Sequence, residues 1–207
     1  MNSNKVYLEI QNDVLFKCNS KGEDKVVIPE GVEIIGDLAF FCCESLKSIK
    51  IPNSVKSYGY KPFYGCKNLE NINIPKCVTK IGLRMFEGCK SLKCNQIDKT
   101  QKKILAYKGF NPDFTCRGFK YKVGKSYHEV KAEVCECGFH ACLNPLDVLA
   151  FYPNENGNRF ALVELSGTID FNKNFGCDDS KIAATDIKII KELTFQDLIA
   201  EFNRLNK

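Results

Sequence analysis

Pro29, Pro52 and Pro75 stand 23 residues apart, and so do Val32, Val55 and Val78. The same interval separates Gly36, Gly59 and Gly82; Phe40, Phe63 and Phe86; Cys43, Cys66 and Cys89; and Leu46, Leu69 and Leu92. A single period held by so many residue types over successive copies is not a sum of local propensities. It specifies a chain that completes one turn in 23 residues and lays each turn on the one before. The unit reads Ile-Pro-x-x-Val-x-x-Ile/Tyr-Gly-x-x-x-Phe-x-x-Cys-x-x-Leu-x-x-Ile-x-Ile-Pro. Leu46, Ile49 and Ile51, and their counterparts Leu69, Ile72 and Ile74, are expected to face inward. Proline ends each short strand, and glycine is expected to allow a tight corner before the Phe-containing turn. No coil buries its own apolar face, so the stack is the core.

A period of 23 falls within the 20–29-residue range of leucine-rich repeats. The Ile-Pro-x-x-Val, Ile-Gly and Phe-x-x-Cys-x-x-Leu sets resemble the BspA-type leucine-rich repeat over residues 26–97. That resemblance implies a binding scaffold rather than a catalyst, and makes Val6–Gly22 the hairpin that caps such an array. After Leu92, Cys94 and Asn95 replace the isoleucines of the earlier copies, which ends the array. The expected organisation is a capping hairpin over 1–25, repeats over 26–98, a basic linker over 99–103 and a second domain over 104–207.

Ser48, Lys50, Asn71, Asn73, Cys94 and Gln96 fall at outward strand positions. They form a polar ladder without the Trp, Tyr or Arg anchors of binding hot spots. Two readings stand side by side: a partner-binding face, or a solvated face on a scaffold that presents the second domain.

The chain of 207 residues carries 12 Cys beside only 2 His and no Trp. Cys43, Cys66 and Cys89 belong to the repeat and report its period, not disulfides. No apolar run is long enough to span a membrane, and the first residues lack an export signature, so a cytoplasmic protein with no membrane contact is expected. The formal charge of +5 is mild and almost entirely lysine. Arginine occurs only at 84, 117, 159 and 204, so direct nucleic-acid binding is not indicated.

From Ile104 the period is gone. Strands are expected over Ile104–Gly109, Gly118–Gly124, Glu129–Cys135, Phe160–Ile169 and Lys181–Ile190. Asn144-Pro145-Leu146-Asp147 is a helix start, with the helix reaching Tyr152, and Thr194-Phe195-Gln196-Asp197 opens an amphipathic helix with Leu198, Ile199, Phe202 and Leu205 inward. The fold class is therefore α+β: a short leucine-rich solenoid followed by a small α+β domain. Ala106-Tyr107-Lys108-Gly109-Phe110, Cys116-Arg117-Gly118-Phe119 and Gly138-Phe139-His140-Ala141-Cys142-x-Asn144-Pro145-Leu146-Asp147 resemble a domain of unknown function that is frequent in phage and prophage proteins. The resemblance implies that setting and no activity.

Cys135, Cys137, His140 and Cys142 form the one metal-like cluster, although structural zinc usually takes two separated ligand pairs. A Cys142 thiol beside His140 or His128, lowered by the helix at Asn144, would be a nucleophile, yet no third orienting group can be named. Lys108, Arg117, His140 and Asn144 could converge at a helix N-terminus as an anion site; alternatively Arg117, Asn144 and Asp147 bind local backbone. The strand followed by Gly-Phe-His also resembles the corresponding turn of ADP-ribosyltransferases, which implies Glu164 as a catalytic acid, but the nicotinamide-binding motif is missing. The sequence as a whole reads as a non-enzymatic interaction module without a cofactor. In the phage setting its partner would be a host defence protein or a nucleoprotein, such as a CRISPR effector. The alternative is a nucleotide- or anion-binding second domain.

Overall fold

The computed structural model describes residues 6–20, 22–92, 100–171 and 180–207. The chain divides into two units, Met1–Gln96 with Ala200–Lys207, and Ile97–Ile199. The final segment, expected in the second domain, thus groups with the repeats.

In the first unit, β1 (Tyr7–Gln11) and β2 (Val14–Asn19) pair antiparallel. Asn12 and Asp13 turn between them at φ 49° and 61°, the left-handed pair that a two-residue hairpin loop requires. β2 then pairs in parallel with β4 (Ile34–Ile35), and β4 with β6 (Ser57–Tyr58). A second parallel ladder joins β3 (Lys25–Val27), β5 (Ser48–Lys50) and β7 (Asn71–Ile72). Lys25 faces Ser48 and Ser48 faces Asn71, so the register advances by one sequence period per coil. The hairpin is itself the first rung.

Leu46, Ile49, Leu69, Ile72 and Ile74 are buried as expected, whereas Ile51 is only half-buried. Phe40, Phe63 and Phe86 stack with centroids 5.1 and 5.5 Å apart. The cysteine column does more than fill space: Cys66 Sγ donates to the Phe40 carbonyl at 3.1 Å and Cys89 Sγ to the Phe63 carbonyl at 3.2 Å, each one coil back. The ten cysteines among the described residues are all free thiols.

The repeated glycine has a different cause from the corner expected of it. Gly59 and Gly82 do not adopt positive φ. A Cβ on Gly82 would collide with the Gly59 carbonyl oxygen, so glycine is needed because backbone stacks directly on backbone. The left-handed corners fall two residues later, at Leu38, Lys61 and Arg84, with φ of 53°, 47° and 54°.

Ala200–Lys207 closes this unit. The α-helix α1 runs from Phe195 to Leu205, and Thr194 with Asp197 caps its start reciprocally. Phe202 stacks on Phe86 at 4.8 Å, adding a fourth ring to the column.

The second unit is mostly strand, with the first turn of α1 at its end. Its strands are β8 (Ile104–Phe110), β9 (Thr115–Cys116), β10 (Phe119–Lys120), β11 (Ser126–His128), β12 (Phe139–Cys142), β13 (Arg159–Phe171) and β14 (Lys181–Leu193). The main sheet is ordered β11-β14-β12-β8-β13, and β13 also pairs with β14, so four antiparallel strands close on themselves. Ile104, Ala106, Phe110, Phe139, Val163, Leu165, Ile187 and Ile189 fill the interior. The strand expected over 118–124 shrinks to β10, because Arg117 and Gly118 both take positive φ and form a hairpin turn with β9. Residues 129–135 are not a strand. β12 is, although the sequence suggested a turn into a helix there. The helix expected from Asn144 to Tyr152 is only a 3-10 turn over Asp147–Ala150, followed by another over Asn154–Asn156.

Candidate functional site

On the repeats, Lys50, Asn71 and Asn73 are exposed and Ser48 is half-buried, as outward strand positions require. Cys94 and Gln96 lie outside the described residues.

A second exposed column was not foreseen. Leu38, Phe41, Tyr60 and Leu83 are 40%, 56%, 46% and 41% exposed. Phe41 stacks on Tyr64, centroids 5.6 Å apart and planes within 7°. Lys61 Nζ sits 5.3 Å and 4.9 Å from the ring centres of Tyr60 and Tyr64. It also pairs with Glu87 at 2.7 Å, the largest of the influences that raise its pKa. The doublets Phe40-Phe41 and Phe63-Tyr64 were the available signal: the first ring of each is the repeat's core residue, so the second must point out.

In the second unit a cavity of about 550 Å³ is lined by Lys108, Arg117, His140 and Lys181, the thiols Cys116 and Cys142, and the rings Tyr107, Phe151 and Tyr152. Strand pairing assembles it. β8 carries Tyr107, Lys108 and Gly109, β12 carries His140 and Cys142, and Cys142 faces Tyr107 in register. The ring of Tyr152 lies directly against Gly109, where a Cβ would collide with it, so this in-strand glycine marks a close approach.

Lys108 is 4% exposed. Its Nζ donates to the His140 carbonyl at 2.9 Å and to Cys116 Sγ at 3.4 Å, and burial lowers its pKa. Tyr152 also donates its hydroxyl to Cys116 Sγ, at 3.1 Å. His140 Nε2 accepts from the Cys135 N–H at 2.9 Å, which leaves the proton on Nδ1. Burial, and then the charges of Arg117, Lys108 and Lys181, push its pKa down to about 4, so the ring is neutral at pH 7. Arg117 donates to the carbonyls of Glu136 and Cys135 at 3.0 and 3.4 Å. Among the described residues no Asp or Glu lines the cavity.

Three of the four residues expected at an anion site thus come together, and Asn144 does not. It is fully buried; its Oδ1 accepts from the Leu146 N–H at 2.9 Å and its own N–H donates to Ser180 Oγ at 2.7 Å. Asp147 accepts from Ser180 N and Oγ. These contacts fix local backbone, and no α-helix N-terminus faces the cavity.

The remaining chemistry separates in space. Among the described residues no three His, Cys, Asp or Glu side chains are placed to hold a metal ion. Cys135 turns at φ 72° and is exposed, whereas Cys142 is buried at the end of a strand, and His140's lone pair is already taken. Without an α-helix after Asn144, the dipole invoked to lower the Cys142 thiol has no source. His128 is paired with Asp186 at 2.9 Å, and Glu164 with Lys103 at 2.8 Å in an ion pair outside the cavity. Among the described residues no helix is long and apolar enough to cross a membrane.

No curated protein matches the chain. Among solved structures, a leucine rich cell surface protein of Faecalibacterium prausnitzii A2-165 is 28% identical over 44% of this chain and 30% of its own, with a TM-score of 0.36. A leucine rich repeat protein of T. pallidum is 19% identical over 44% of this chain and 57% of its own, with a TM-score of 0.33. The chain therefore spans less than two thirds of either structure. Residues 9–111 match the BspA type leucine rich repeat region, in six copies, and so take in the β1–β2 hairpin; residues 104–201 match a domain of unknown function, DUF7666. The chain is thus similar to a BspA type leucine rich repeat region in its first half and to a DUF7666 domain in its second.

Proposed function

We propose that this chain is a non-enzymatic protein-interaction module whose repeat unit docks a protein partner through the Phe41–Tyr64 column. One observation carries this reading: two aromatic rings are stacked parallel at the surface, with Phe41 56% exposed, beside Leu38, Tyr60 and a cation. Exposed aromatic groups held rigid by their own neighbours lose little entropy on binding, which suits them to be interface anchors. The polar ladder of Ser48, Lys50, Asn71 and Asn73 offers hydrogen bonds but no anchor, and takes the secondary place. The phage-encoded setting and a host defence protein or nucleoprotein as partner enter from resemblance alone.

The test is affinity capture with the intact chain, comparing the parent with Phe41→Ser/Tyr64→Ser and with Lys50→Ala/Asn71→Ala. Truncating a hot spot typically costs ~2 kcal/mol or more, so the aromatic pair should lose the partner while the polar pair keeps it. Retention of the partner by the aromatic variant, with folding intact, overturns the reading.

A further inference from the structure

We infer that the cavity of the second unit binds a small organic anion, a negatively charged group carried on a planar ring, with Lys108 and Arg117 receiving the charge. Lys108, Arg117 and Lys181 line one cavity, and among the described residues no carboxylate lines it. A concentration of one sign of charge within low-dielectric walls attracts the opposite sign. Lys108 makes the case specific. A lysine is almost never fully buried without a counter-ion, and here the ammonium meets only a carbonyl and a thiol. Two rings stand 5.5 and 5.6 Å from it, Phe110 and Tyr121, which leaves an incoming anion as its missing partner.

Neutral His140 presents no free acceptor that would repel an anion. Its Nε2 is held by Cys135 N–H, so the proton must sit on Nδ1. Three rings, Tyr107, Phe151 and Tyr152, also line it, beside Asn111, two thiols and small apolar residues. The volume of about 550 Å³ lies inside the range of small-molecule sites, roughly 300–1,000 Å³, and exceeds what a bare inorganic ion fills. Gly109 keeps the ring side open to Tyr152, since any side chain there displaces that ring. Cationic and aromatic side chains in one cavity of this volume describe a ligand of about mononucleotide size.

Calorimetry on the intact chain at low salt, with AMP, adenosine and inorganic phosphate as probes, tests this. AMP is expected to bind, phosphate to bind more weakly and adenosine to give no heat. Arg117→Gln, at an exposed turn, and Lys108→Met, which keeps the buried stem, are each expected to weaken AMP by about tenfold or more, the loss of one charge-assisted contact. Gly109→Ala should weaken AMP and leave phosphate unchanged. Binding of neither AMP nor phosphate at millimolar concentration, or AMP binding unmoved by both cationic variants, overturns the inference. Adenosine binding as tightly as AMP overturns the role given to charge. Phosphate binding as tightly as AMP overturns the role given to the ring.

Discussion

The side-chain amide of Asn203 pairs with both ends of the backbone at Ile74: Nδ2 donates to the Ile74 carbonyl and Oδ1 accepts from its N–H, each at 2.8 Å. A primary amide has the same donor and acceptor spacing as a strand's backbone, so Asn203 supplies to this rung what a neighbouring strand would. Together with Phe202 on the Phe column, it lets one turn of helix finish a stack of coils.

Replacing Asn203 separates these two bonds. Asn203→Ala leaves a partly buried N–H and C=O unpaired and should cost ~1–3 kcal/mol. Asn203→Asp keeps the acceptor but sets a carboxylate oxygen against the Ile74 carbonyl, so it should be at least as damaging at pH 7. Urea denaturation of the intact chain reads both. If Asp is tolerated better than Ala, the two-ended pairing is wrong.

Cys42 occupies the place that Gly65 and Gly88 hold in the next two coils, and it does so at φ 51°. An L-residue with a Cβ is disfavoured there by roughly 1 kcal/mol. Cys42 is exposed, so little packing is lost on removing its side chain. Cys42→Gly should therefore stabilise the fold by about 0.5–1 kcal/mol, less the added freedom of the unfolded chain. A rise in the urea midpoint checks it; a fall shows that the thiol's contact with Gly65 matters more than the corner.

Gly82 gives the opposite sign. A methyl there meets the Gly59 backbone rather than a movable side chain, so no rotamer relieves it. Gly82→Ala should cost ~1–3 kcal/mol or more, the range of overpacked sites, and should show as a lower melting temperature. Cys42→Gly and Gly82→Ala together distinguish the two uses of glycine in one coil.

These positions also show what the sequence exposes and what it hides. The coil was legible because its contacts recur at one interval, and even the odd cysteine at 42 stood out against two glycines. The cap was not: Asn203 and Ile74 are 129 residues apart and belong to no period. In the second unit β8, β13 and β14 were readable from their apolar alternation. β12 was hidden because Phe139-His140-Ala141-Cys142 is short and runs into Asn-Pro, which mimics a helix start. Of the cavity, Lys108, Arg117 and His140 could be nominated as residue types. Their convergence depends on β8 and β12 being neighbours in the sheet, and the burial of Lys108 contradicts what lysine ordinarily does. The aromatic column was overlooked because attention to the repeat's inward ring passes over the ring next to it.

His140 should leave a pH signature. Its folded pKa is pushed down to about 4, while an unfolded histidine titrates near 6.5. Between those values the unfolded chain carries more protons than the folded one, so stability rises with pH across that interval. The contribution is complete above about pH 6.5, is lost progressively as pH falls toward 4, and does not change further below it. Carboxylates such as Asp186, held low by Thr185 and His128, also weaken the fold on the acid side, so the wild-type curve alone does not isolate the histidine. His140→Gln removes the titration and keeps a polar side chain near the Cys135 N–H. The drop in stability between pH 7 and pH 4.5, measured by urea denaturation, should be smaller in the variant than in the parent. Equal drops would mean that His140 takes up its proton as readily folded as unfolded, and that the cationic surroundings assigned to it exert no force on the ring.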